Sequence, residues 1–121
     1  MKESILADKS YTFAKKMVEL YKHLSSEKKE FILSKQCLRS GTSIGASIRE
    51  AGYAQSKPDF INKLSISLKE ANETYYWLSL LKDTGYLTDD IYNPLVTGCE
   101  EIIKILVSSI LTAKRSLKKN S

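Results

Sequence analysis

Apolar residues recur along this chain in alternating steps of four and three, and that spacing restricts what it can fold into. Phe13, Met17, Leu20 and Leu24 follow it, and so do Cys37, Gly41, Ile44, Ile48 and Ala51. Side chains at such steps share one face of an α-helix. A stretch of this kind is stable only when its apolar stripe is buried against other helices. The competing all-β architecture needs frequent turn residues, and the 121 residues hold only 5 Gly and 2 Pro. A length of this order suits one domain.

Four helices are expected, over about 8–24, 30–54, 57–84 and 88–118. In the second, Gly41 and Gly45 sit four apart among Ser40, Ser43, Ala46 and Ser47. Each interior Gly costs about 1 kcal/mol against Ala. Either another backbone approaches closely there, or the helix breaks near Gly41. Ser56-Lys57-Pro58-Asp59 reads as a helix start, with Ser56 as cap, Pro58 in the first turn and Asp59 at the reciprocal position. Phe60, Leu64, Leu68, Ala71, Tyr75 and Leu78 form the third stripe, and Gly85 stops that helix. The fourth begins either at Thr88 or at Asn93-Pro94. Its first stripe is Leu95, Cys99, Ile102, Leu106 and Ala113, with Ile103, Val107, Ile110 and Leu111 beside it. Short links between long helices make neighbours antiparallel, so the expected fold is all-α, an up-down four-helix bundle. The fourth helix has more apolar width than one bundle face requires. Its second stripe, Ile103, Val107, Ile110 and Leu111, is therefore the expected homo-oligomer interface.

Folding the chain back at the Ser56 link places Arg39 level with Glu73 and Glu50 level with Lys63. Glu70 falls level with Thr42 and near Ser43. Arg39, Ser43, Glu50, Lys63, Glu70 and Glu73 are thus expected to form a polar seam that fixes register, or ordinary surface pairs of small energy.

Charge is uneven. Nineteen cations and fourteen acids give +5, and five of the cations with no acid lie from Lys104 onward. Lys114, Arg115, Lys118 and Lys119 read in two ways. They complement the negative end of a helix dipole, or they form a tip that meets phosphate. The lysines of the first helix read as a solvated face.

Catalysis is not expected. His23 is the single histidine, too few for a Glu-x-x-His pair of sites. Cys37 and Cys99 lie inside apolar patterns without metal-ligand spacing, as buried thiols of a reducing compartment do. Gly41-x-x-x-Gly45 is helical rather than a phosphate loop. No metal, cofactor, secretion signal or membrane span is expected, and the reading is cytoplasmic.

The run from Ser34 to Ala51, SKQCLRSGTSIGASIREA, resembles the 23S rRNA-intervening sequence protein family. The likeness continues through Ser56 to Phe60, Lys63-Leu64, Lys69-Glu70-Ala71, Glu73-Thr74, Tyr76-Trp77-Leu78 and Glu100 to Leu106. Ser47 stands where the family commonly has Asn. Arg39, Ser43, Glu50, Lys63, Glu70, Glu73 and Trp77 match its motif. The resemblance implies a bacterial cytoplasmic bundle in a ring-like oligomer, often a homopentamer. It also implies association with ribosomal RNA genes in some members. In a related branch that serves diversity-generating retroelements, it implies contact with nucleic acid and a reverse transcriptase. The expected function is a non-enzymatic oligomeric scaffold that binds RNA or DNA through Lys114, Arg115, Lys118 and Lys119. The alternative is a protein-interaction module that never touches nucleic acid.

Overall fold

The structure, a computed structural model, describes residues 2–119. Positions 1, 120 and 121, which the expected domain limits included, lie outside the described residues. Four helices follow in order, α1 (Lys2–Ser26), α2 (Leu33–Ala51), α3 (Lys57–Asp83) and α4 (Asp89–Lys119), and no strand occurs among the described residues. α1 starts earlier than expected because its apolar stripe does. Leu6 and Ser10 are buried in step with Phe13, Met17, Leu20 and Leu24.

α2 is shorter at its start than expected, for a local reason. Glu30 stands outside the helix, behind Lys29 at φ 55°, and its carboxylate accepts the amide N–H groups of Ile32, Leu33 and Ser34 at 3.1, 3.1 and 2.7 Å. Those donors have no partner within the helix, and Glu30 caps them from two residues before Ile32. Burial works against the charged carboxylate, yet these bonds together hold Glu30 below its ordinary value. α2 then runs unbroken through both glycines. A Cβ on Gly45 would lie 3.5 Å from the backbone oxygen of Ser10, so α1 does approach closely there. A Cβ on Gly41 would lie 2.5 Å from Met17 Cγ, so that site admits a side chain instead.

The Ser56 hydroxyl accepts from Asp59 N at 3.2 Å, but the Asp59 carboxylate reaches Gln55 N rather than closing back on Ser56. α3 ends with Gly85 at φ 88°, where Tyr86 N bonds Leu81 O and Gly85 N bonds Lys82 O. That pair is the Schellman arrangement for stopping a helix. α4 begins at Asp89 and carries Pro94 in its second turn. So close to the start, the missing proline donor removes a single intrahelical bond.

Each helix packs on its neighbour in sequence, and α1 also meets α4. The joining contacts run in opposed order. Arg39 meets Glu73, Ile44 O meets Ser67, and Glu50 meets Lys63. Ser79 meets Tyr92, Ala71 O meets Cys99, and Lys57 meets Ser116. The core holds Leu24, Ile44, Leu64, Leu78, Ile102 and Leu106, each nearly fully buried.

Candidate functional site

α4 places four cations on its last turns. Lys114, Arg115, Lys118 and Lys119 are all exposed, while Ala113 in the same stretch is buried and Ser116 half-buried. The buried positions hold the helix end onto the bundle, and the cations take the remaining arc. Arg115, Ser116, Lys118 and Lys119 line a shallow open depression. A fifth cation joins them from another helix, since Lys57 Nζ donates to Ser116 Oγ at 3.1 Å. Lys57 belongs to the first turn of α3, where Asp59 is occupied by the backbone of Gln55. Nothing local in the sequence marks Lys57, because its position depends on how α3 and α4 align.

The expected oligomer face divides. Val107 and Leu111 are 41% and 47% exposed, which is large for aliphatic side chains. Ile103 is half-buried against the core. Ile110 is not an outer residue, contrary to expectation: it is 7% exposed and belongs to the core. The reason is helical phase. Ile110 lies four residues after Leu106 and three before Ala113, so it continues the buried stripe rather than the outer one.

The polar residues between α2 and α3 meet in two groups. Arg39 donates to Glu70 at 3.2 Å and to Glu73, which also accepts from Trp77 Nε1 at 3.0 Å. The Trp77 bond first, and then Arg39 against a modest cost of burial, hold Glu73 below its ordinary value. Lys63 donates to Glu50 at 3.2 Å. Ser43 joins neither group, because its hydroxyl donates to Arg39 O one turn back in its own helix. The Arg39 side chain is 49% exposed, so the cluster lies on the outside of the interface. Beneath it are buried bonds that the sequence reading did not single out. Thr74 and Ser40 hydroxyls lie 2.8 Å apart, and Ser67 Oγ donates to Ile44 O at 2.9 Å.

The cysteines are buried free thiols. Burial pushes each up to about 12, with the other thiol adding to Cys37 and Glu100 adding to Cys99. Such groups stay protonated and unreactive near neutrality. Cys37 faces Met17 Sδ at 4.0 Å, and His23 lies about 9 Å further along α1. No group of three or more His, Cys, Asp or Glu among the described residues could hold a metal ion. No helix among them is long and apolar enough to cross a membrane.

Comparison with known proteins agrees with this layout. The chain matches the model of the 23S rRNA-intervening sequence proteins over residues 2–108. The chain belongs to that family. A crystal structure of a protein of unknown function from the S23 ribosomal protein family of Bacteroides thetaiotaomicron is 58% identical to it, with a TM-score of 0.90. The likeness covers 91% of this chain and 98% of that one. No curated protein matches. The 23S rRNA-intervening sequence family match ends before Lys114, so the family assignment and the basic end of α4 are separate observations.

Proposed function

We propose that this protein is a non-enzymatic scaffold, an antiparallel up-down bundle that assembles with copies of itself and binds RNA. The observation that carries the proposal is the end of α4, with Lys114, Arg115, Lys118 and Lys119 exposed and Lys57 brought alongside. A helix dipole is complemented by cations in its last turn alone. Five cations drawn from two helices exceed that need and match a polyphosphate. The family's name, which refers to 23S rRNA, supports RNA over other anions.

Assembly is the second part of the reading. Val107 and Leu111 leave an apolar strip on the outer side of α4, which a neighbouring copy would cover. A closed ring, such as the pentamer the family resemblance implies, would multiply the basic ends by symmetry and make binding steeply salt-dependent.

The test is binding of a structured RNA to the full chain across a series of salt concentrations. Affinity should fall with salt at a log–log slope of magnitude about 3 for four phosphate contacts. The K114Q/R115Q/K118Q/K119Q variant should keep its thermal stability and lose most of that slope. Binding that is absent near physiological salt, or unchanged in the variant, contradicts the RNA reading.

A further inference from the structure

α1 and α2 leave between them a groove of about 560 Å³. Its floor is apolar, with Leu6, Ile48 and Leu64 at the bottom, and its sides are short at Ala14, Gly45 and Ala46. The short side chains follow from the close approach of the two helices at Gly45 and Ser10. An isolated stripe of small residues carries no function, but this one has a distinctive border. Arg49 lines the groove, and Lys15 lies 5.3 Å over the ring of Tyr11, which lines it from the other side. No acid lines it.

The border extends beyond the groove. Lys22 repeats the position of Tyr11 three turns along α1, and Lys35 repeats that of Thr42 two turns back along α2. Ion pairs are found on the other sides of the bundle. Lys9 pairs with Glu101 between α1 and α4, Arg39 and Lys63 pair between α2 and α3, and Lys82 pairs with Asp89 at the α3–α4 turn. Among the described residues, none of Lys15, Lys22, Lys35 or Arg49 has such a partner, nor does Lys15 pair with Glu19 one turn on. These ion pairs lie away from the groove, whose own lining holds Arg49 and no acid.

We propose that the α1–α2 groove is a docking site for an acidic amphipathic helix of another protein. Apolar side chains at i, i+3, i+4 and i+7 would enter the short-sided trough, as helix-in-groove recognition requires. Carboxylates on both borders of that helix would meet Arg49 and Lys22 or Lys15 and Lys35. A second copy of this chain fits less well. Its exposed apolar strip at Val107 and Leu111 is bracketed by Lys104 and Lys114, with Glu100 the nearby acid, and would set cation against cation. RNA fits less well too, because the lining offers apolar surface rather than partners for base edges. This docking is independent of the RNA reading and uses different residues.

The test uses a synthetic amphipathic helix with Leu at the four anchor positions and Glu along both borders, titrated into the full chain and read by fluorescence anisotropy. A control peptide carries Lys in place of Glu. The acidic peptide should bind about tenfold or more tightly than the control. Ala46→Phe, at an exposed position, fills the trough and should abolish binding without lowering the melting temperature. Lys15→Glu with Arg49→Glu should reverse the preference between the two peptides while RNA affinity is unchanged. Equal binding of both peptides, no binding of either, or full binding to Ala46→Phe overturns the proposal. A change in assembly mass with Ala46→Phe overturns it in favour of a second copy, and competition by RNA overturns it in favour of nucleic acid. If Ala46→Phe does not fold, the charge-reversed pair decides.

Discussion

α2 and α4 solve the same problem in different ways. The inner side of α2 is packed against a neighbour on each flank. On the α1 side its glycines admit Met17 and the Ser10 backbone, and on the α3 side Ser40 meets Thr74 while Arg39 meets Glu70 and Glu73. Its free amide ends are taken by Glu30. α4 has an equally well-buried inner stripe through Cys99, Ile102 and Leu106, but its outer side keeps Val107 and Leu111 exposed and its end keeps four exposed cations. Those inner contacts hold the fold, and only the outer border of α2 along the α1–α2 groove is left for a partner. Well-packed surroundings beside an unfinished apolar strip mark a region that meets something else.

Substitutions sharpen this contrast, and the largest effect belongs to the inner side of α2. Gly41→Leu should cost about 3 kcal/mol in denaturant unfolding, because the interior around Met17 is close-packed. Met17→Ala in the same chain should restore part of it. A fully tolerated Gly41→Leu would mean that α1 and α2 are not tightly packed at all.

The cap comes next. Glu30→Ala should cost about 1–2 kcal/mol at neutral pH, since three amide donors lose their acceptor. The folded-state value of Glu30 lies below its ordinary 4.5, so its stabilisation is complete above 4.5 and is lost as pH falls through the lowered value. The stability gap between wild type and Glu30→Ala should therefore close in acid. A gap that persists unchanged there would show that the carboxylate charge is not the source.

Smaller effects are expected at the exposed cluster. Arg39→Glu should cost under about 1 kcal/mol despite its two acidic partners, because half the side chain is in water. Arg39→Glu with Glu73→Arg should recover part of that loss. Smallest of all, Leu111→Ser should change the stability of the single subunit by less than about 0.5 kcal/mol. A cost as large as that of a core residue would contradict the outward assignment of Leu111.

Much of the fold is legible in the sequence, because helical phase is a local property. The stripes from Phe13 to Leu24, Cys37 to Ala51 and Leu95 to Ala113 are buried as their spacing requires. The exceptions are physical rather than random. Glu30 reads as a helical residue because it opens a helix-forming run, yet its carboxylate serves the helix from outside. Ile110 reads as an outer residue when grouped with Ile103 and Val107, but it also continues the stripe of Leu106. Lys57 is invisible as part of the basic end until α3 and α4 are aligned, which no local pattern specifies. The groove border is similarly hidden, since Lys15 and Arg49 come from separate helices and their significance lies in the acids that are missing between them.

The most direct test of the outward-facing role of α4 is sedimentation equilibrium of the full chain at micromolar concentration, beside a Val107→Asp/Leu111→Asp variant. Wild type should have several times the mass of one subunit, and the variant should sediment as a folded single subunit. A wild-type chain that is stable and monomeric at that concentration, with Val107 and Leu111 left in water, would contradict the account.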